Sequence, residues 1–362
     1  MDRLLELASS PAAQSHAVLA LTGITSAYVA LARPTLSRRR RGRPAPASSS
    51  ASCPAAAAAG ADASGADASG TSPAATLAEA GTSAAVSTGA LLAFRAVMAI
   101  YIVAMGARQM ARVGPYVFKF YTIWNWWLLG LYFALAATAS FICSRVEAQA
   151  AAAAAARATA PPATAPPAGE TDAPTPHPRP QRSQQPLQQP QQPPPQLLRS
   201  TGLSRACHAL FLVNTATVII VDVVCWAVLY PMLARGPQTP EIQRMIQRLL
   251  LTFTSYNQHG LNALYIFTDL FLNRHRFAFH AVGPIGLWSL LFALWSHVWH
   301  YKTGKWLYPF LDTSKSWAPA AYFGLYVVHW LAFGLVGLLY GVKAALYGRV
   351  ERRRAARRLK AE

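Results

Sequence analysis

Acidic residues are scarce in this chain: 14 Asp and Glu stand against 33 Lys and Arg in 362 residues, a net charge of +19. Cysteine is scarcer, limited to Cys53, Cys143, Cys207 and Cys225. These four have neither the spacing of a metal centre nor the pattern of a secreted disulfide framework, so both classes are excluded. Cys143 and Cys207 fall near ends of apolar runs, where a palmitoylated cysteine can sit, but free cysteines usually serve as small packing residues, and that is the expectation for these. No motif implies a cofactor or a metal. The positive excess does not read as a nucleic-acid surface, because of where it lies. Six Arg fall between Arg33 and Arg43 and eight Lys or Arg between Lys343 and Lys360. Both clusters abut apolar runs, where they act as positive-inside signals and, at the basic tail, as contacts for anionic lipid headgroups.

What the chain does have is length in apolar segments. The runs near 88–107, 121–143, 208–233, 249–272, 281–300 and 319–346 each approach or exceed the ~20 residues a helix needs to cross hydrocarbon. The expectation is an all-α integral membrane protein, a six-helix transmembrane bundle in an endomembrane or the plasma membrane. Six crossings put both basic clusters, and the RHR at 274–276, on the cytoplasmic side; the opposite loops carry Lys and Arg too, so the bias is incomplete. A shorter stretch, AVLALTGITSAYVALA at 17–32, precedes the Arg cluster. It reads as an extra short N-terminal hydrophobic helix, spanning or anchoring, or as an organelle transit segment; Asp2 and Glu6 count against transit.

The chain divides into an N-terminal hydrophobic segment with its Arg cluster (1–43), a low-complexity linker (44–87), helices one and two (88–145), an Ala/Pro/Gln linker (146–200), helices three to six (201–348) and a basic cytoplasmic tail (349–362). Neither linker has the composition to bury a core, and both are expected to be disordered. In TPEIQ, Thr239 suits an N-cap, Pro240 the first helical position and Glu241 the second, so the fourth helix is expected to run from 240 to about 272. Gly334, Gly337 and Gly341 in the last helix permit close helix contact.

Polar residues inside apolar helices are costly, so their pattern is informative. In the fourth helix Ser255, His259, Asn262 and Asp269 are spaced 4, 3 and 7 residues apart and share one face. Thr122, Asn125 and Tyr132 do so in the second, with Leu129 completing the row. Asp222 sits mid-span in the third, and Tyr322, Tyr326 and His329 recur in the last. Together these could line one cavity. Asp222 reads as a His orienter, a proton site or a neutral interhelical donor. Trp124, Trp126 and Trp127 read as an interfacial aromatic belt. His297 and His300 read as ordinary histidines at a span end. Asn125 and Asn262 either bond neighbouring helices or support an oxyanion. Thr122 and His259 carry the chemistry of a nucleophile and its base: a hydroxyl needs a neighbouring acceptor at neutral pH, and neutral imidazole serves.

KFYTIWNWWLLGLYF, QHGLNALYIFTDLFLNRHR and WSHVWHYKTGKWLYPFLD resemble the androgen-induced and androgen-dependent membrane hydrolases and the related rolling stone proteins, over roughly 88–346. The most specific piece is Trp306, Tyr308, Pro309, Phe310 and Leu311, preceded by Thr303 and Gly304. The resemblance implies a six-helix membrane fold. In the androgen-induced branch it also implies a threonine nucleophile and histidine base cleaving esters of fatty acids with hydroxy fatty acids; by position these are Thr122 and His259. The HGLN of the fourth helix leans to the rolling stone branch, which implies a non-enzymatic role in membrane organisation or adhesion. Thr122 lies near the outer end of its helix and His259 about ten residues into its apolar run, so the pair meets only if a helix starts earlier or tilts. A haem carrier would need His pairs facing each other at similar depth, which this sequence does not repeat. The partners expected are membrane lipids and a lipid-ester substrate.

Overall fold

A computed structural model describes residues 9–31, 75–159 and 195–361. Cys53, the Arg33–Arg43 cluster and most of both linkers lie outside the described residues. The described chain is helical, with a lone antiparallel bridge between Ser83 and Asn273. Its α-helices are α1 (Pro11–Leu31), α2 (Leu77–Gly81), α3 (Thr88–Val113), α4 (Tyr121–Thr159), α5 (Gly202–Val223), α6 (Pro240–Met245), α7 (Phe253–Tyr256), α8 (Asn262–Leu272), α9 (Val282–Thr303) and α10 (Ala318–Ala361), with a further short α-helical segment, Tyr230–Arg235, at the end of the third span. Among the described residues, five helical stretches are long and apolar enough to cross a membrane: Thr88–Val113, Tyr121–Ala156, Gly202–Arg235, Phe279–Thr303 and Ala318–Arg357. This is a multi-pass integral membrane architecture.

The remaining apolar run, 249–272, is not one helix. Thr239 caps α6 as its sequence predicts, its hydroxyl accepting from the Ile242 amide at 3.3 Å. A wide π turn then fills Ile246–Leu250, and the backbone leaves helical geometry at Leu251 and Thr252. Thr252 starts a new helix by accepting from the Ser255 amide at 3.1 Å, a local bond that competes with continuing the old one. A second π turn, Asn257–Leu261, contains His259 at φ −133°, ψ 30°. Another wide turn, Val224–Leu229, interrupts the third span just before Pro231, which has no amide hydrogen and whose ring clashes with the carbonyl four residues back.

Burial centres on α3, α4, α5 and α8, with Tyr132, Phe133, Phe211 and Ile266 wholly buried. Trp126 lies in that core, its indole donating to the Ile102 carbonyl at 3.0 Å; Trp124 packs on Trp288 and Phe292, and Trp127 lies over Gly106. Trp126 thus fills space between helices, while Trp124 and Trp127 are half-buried. The glycines that admit a helix are not those of α10 either. A Cβ on Gly334 or Gly341 would meet nothing within 4 Å, whereas one on Gly283 or Gly286 would strike Ser26 or Ala30 of α1. α1 thus docks against α9 and α10.

The expectation that residues up to 87 bury nothing is corrected at its end. Thr76 and Glu79 form a capping box for α2, whose Leu77, Ala78 and Ala80 pack with Ala139, Cys143 and Cys207. Cys143, Cys207 and Cys225 are buried free thiols, as packing residues should be. α4 continues to Thr159, into the stretch expected to be a disordered linker.

A polar layer closes the bundle at the end near α2. Arg95 and Asp269, both inaccessible to solvent, form a two-pronged ion pair: Nε to Oδ1 at 2.7 Å and Nη2 to Oδ2 at 3.1 Å. Nη1 donates to the Ala80 carbonyl at 2.6 Å and the Ser140 hydroxyl at 2.8 Å, while Tyr132 and Asn273 donate to Asp269. Lys343, read from sequence as part of the basic cluster, is buried and donates to Asn273 Oδ1 at 3.0 Å.

Candidate active site

The start of α4 faces the wide turn after α7. Thr122 occupies the second position of α4 and His259 the middle of the Asn257–Leu261 turn, with Thr122 Oγ1 and His259 Nε2 3.4 Å apart. The mismatch in depth is resolved by the break: the helix restarts at Phe253, so His259 lies two turns from a helix start, not deep inside a long helix. The non-helical backbone at His259 frees its carbonyl, which accepts from the Trp226 indole on the facing wide turn. On the ring, the Val221 carbonyl lies near the imidazole, but Nδ1 makes no hydrogen bond of good geometry. The pair therefore stands at the long limit of a hydrogen bond, and shortening it requires a modest side-chain movement.

Both residues open onto a cavity of about 120 Å³. Its wall is mostly apolar, including Val18 and Leu19 of α1, Ile220 of α5, Val224 of the wide turn that follows it and Leu325 of α10. Its polar lining is short: Thr22, Tyr121, Thr122, His259, Ser289, Tyr308, Tyr322, Tyr326 and His329. Such a wall suits a hydrocarbon chain carrying one reactive polar group.

The WLYPFL segment builds the cavity's other side. α9 stops at Gly304, which takes φ +67° and donates its amide to the His300 carbonyl at 2.7 Å; this left-handed turn sends the chain back across the bundle end. Tyr308, Phe310 and Leu311 then reach the cavity. The Tyr308 hydroxyl accepts from the Tyr121 amide at 3.2 Å and neighbours the Thr122 side chain. Burial pushes the Tyr308 phenol above its ordinary range, so it stays a neutral hydroxyl.

His329 joins the same cavity through Ser289, its Nε2 lying 2.6 Å from Ser289 Oγ, while Nδ1 lies 2.6 Å from the Leu325 carbonyl. On its other side Ser289 Oγ is 2.7 Å from the Tyr121 hydroxyl. Tyr322 and Tyr326 complete the α10 stripe expected from sequence. No family model matches this sequence, and no curated protein or solved structure matches it. The site is therefore read from its own chemistry.

The other polar residues go elsewhere. Asn125 does not line the cavity: its Oδ1 accepts from the Trp288 indole at 3.1 Å and its Nδ2 donates to the Tyr121 carbonyl at 2.9 Å. Asn262 donates to Asp222 Oδ1 at 3.0 Å, so Asp222 ties α5 to α8 and is not bonded to His259. Asp269 belongs to the distant Arg95 layer, and Ser255 is buried without a side-chain hydrogen bond. The expectation of one shared polar face is thus corrected; of Ser255, His259, Asn262 and Asp269, only His259 reaches the cavity, because the breaks reset the helix phase. The expected oxyanion role of Asn125 or Asn262 has no support in their positions. His297 and His300 pack against Trp306, with His300 stacked at 4.0 Å between ring centres.

Sequence reasoning missed Ser289 and Tyr121. Tyr308 was flagged only through its motif. Ser289, one small residue in LWSLLF, carries no local signal.

Proposed function

We propose that this chain is an intramembrane lipid-ester hydrolase, with Thr122 as nucleophile and His259 as base, acting on fatty acid esters of hydroxy fatty acids. The observation that supports it is the approach of Thr122 Oγ1 to His259 Nε2, at 3.4 Å, on the wall of an apolar cavity. Thr122 Oγ1 attacks the acyl carbonyl as His259 Nε2 takes its proton. The tetrahedral intermediate collapses, the ester C–O bond breaks, and the imidazolium returns the proton to the leaving hydroxy acid. Water, activated by the same imidazole, then attacks acyl-Thr122 and releases the fatty acid. The apolar wall holds the acyl chain and limits bulk water. The proposal takes the resemblance to the androgen-induced hydrolases at its full extent: six crossings, the broken segment among them, and core termini on the cytoplasmic side with anionic lipid at the basic tail.

The test is hydrolysis of such an ester by purified protein at matched expression, comparing wild type, Thr122→Ala, His259→Ala and the double variant. Each single variant should lose most activity, and the double little more, because a nucleophile and its base act as a unit. Full hydrolysis by Thr122→Ala would remove the threonine from the mechanism.

One observation favours a second, non-enzymatic reading of rolling stone type, in membrane organisation or adhesion. Asn125, Asn262 and Asp269 are all committed to bonds between helices, as in a polar bundle built for packing. Absence of hydrolysis in all four proteins would move the assignment there.

A further inference from the structure

The cavity holds a second hydroxyl with a better-placed acceptor than Thr122 has. Ser289 on α9 lies 2.6 Å from His329 Nε2 on α10, against 3.4 Å for the Thr122–His259 pair. The direction of every proton in this group follows from one atom. The Leu325 carbonyl can only accept, so His329 Nδ1, 2.6 Å away, must carry the ring hydrogen. In neutral imidazole that leaves Nε2 as a bare acceptor, and Ser289 must donate to it. Ser289 has then spent its only hydrogen, so the Tyr121 hydroxyl, 2.7 Å off, must donate to Ser289 Oγ. The result is a directed chain from Tyr121 through Ser289 to His329, with one lone pair of Ser289 Oγ uncommitted. Tyr121, Ser289 and His329 all line the cavity, so that lone pair stands where a ligand would lie.

The geometry points to Ser289 as a second nucleophile, activated by His329, that accepts an acyl group from an ester bound in the cavity. It rests on the hydrolase reading above only for the ester class of substrate. In the step, Ser289 Oγ bonds to the acyl carbon while His329 Nε2 takes the hydroxyl proton. The ester C–O bond breaks, and His329 gives that proton to the departing alcohol. Water then attacks acyl-Ser289, losing a proton to His329, and the carboxylic acid leaves as the proton returns to Ser289 Oγ. Tyr121 acts as a positioning residue that holds Oγ from the side away from the imidazole.

An interhelical hydrogen bond alone would give the same distances but no covalent chemistry, and that separates the two. The full-length protein, purified in detergent, is treated with a fluorophosphonate probe, which phosphonylates an activated hydroxyl with loss of fluoride, and the adduct is located by fragment-ion mass spectrometry. Trypsin places Ser289 in the peptide 277–302, whose other serine is Ser296, and Thr122 in a different peptide. The wild-type chain should carry adduct at Ser289, and Thr122→Ala should keep it. His329→Gln, which can still bond to Ser289, should slow Ser289 labelling by at least ~100-fold, the lower bound for loss of a general base. Adduct at Thr122 alone would overturn this proposal and leave the Thr122 reading intact. Adduct at Ser289 alone, with hydrolysis unchanged in Thr122→Ala, would uphold it and remove Thr122. No adduct at either residue would overturn both, and unchanged Ser289 labelling in His329→Gln would refute the base.

Discussion

Replacing Arg95 with Met tests whether the inner polar layer holds the bundle together. The side chain is wholly buried and its guanidinium donates to five acceptors: both Asp269 oxygens, the Ala80 and Ala136 carbonyls and the Ser140 hydroxyl. Hydrogen bonds between membrane helices average only ~0.6 kcal/mol each, because the unfolded chain in lipid finds other partners. Truncating one partner of a buried ion pair costs about 3–5 kcal/mol instead, since it strands the other charge. The second figure should govern here: with Arg95 gone, Asp269 keeps only the neutral donors Tyr132 and Asn273. Arg95→Met and Asp269→Leu should therefore each cost about 3–5 kcal/mol. The double variant should cost less than their sum, with a coupling of about 2 kcal/mol or more, within the range for residues in one network. Equilibrium unfolding in mixed detergent micelles measures all three. Additive losses, or a cost below about 1 kcal/mol for Arg95→Met, would show that the pair is not coupled as its geometry requires.

Gly283→Val should cost about 1–3 kcal/mol by overpacking, since a Cβ there meets the backbone of Ser26 and Ala30; Gly334→Ala, with nothing within 4 Å, should be neutral in the same unfolding assay. If both behave alike, α1 does not dock through Gly283. His275, in the loop before α9, is buried against Phe211 and His208 with neither ring nitrogen hydrogen-bonded. Burial, together with the nearby His208, Arg95 and Lys343, holds its pKa well below the ordinary imidazole value. As pH falls the unfolded chain takes up this proton first, so stability present above about pH 6.5 declines below it, by ~1.4 kcal/mol per pH unit for one proton. His275→Phe should flatten that decline in pH-dependent unfolding; an unchanged slope would place the proton elsewhere.

The long spans were legible in the sequence because they are local, whereas the polar stripe of the fourth run was not, since its phase changes at the wide turn. Twenty apolar residues announce a membrane helix, and Thr122 and His259 each stood out against an apolar background. What stayed hidden depends on partners distant in the chain. Arg95 is a single cation in an apolar run, and nothing near it in sequence tells that Asp269 neutralises it. Ser289 is equally silent, its acceptor lying 40 residues further on. The break at Leu251 and Thr252 was masked differently: LLLTFT reads as uninterrupted hydrocarbon, and a threonine that caps a helix from within an apolar run looks like one that merely fills it. α1 could be recognised as helical, but not matched to Gly283 and Gly286, since small residues show that a helix can approach without saying which.

The wide turn at Asn257–Leu261 gives a π-helical loop to a stretch that α geometry would close with tighter bonds. Such a turn amounts to one residue more than an α-helix needs. The pieces on either side are fixed independently, upstream by the Thr252 cap and downstream by Asn262 on Asp222 and Asp269 on Arg95. Loss of a single codon here would let the segment close into regular helix with both anchors in place, swinging His259 by about 100° around the axis. In a lineage, then, the imidazole could enter or leave the cavity by one insertion or deletion, without disturbing the rest of the bundle and without any change of residue identity at the histidine.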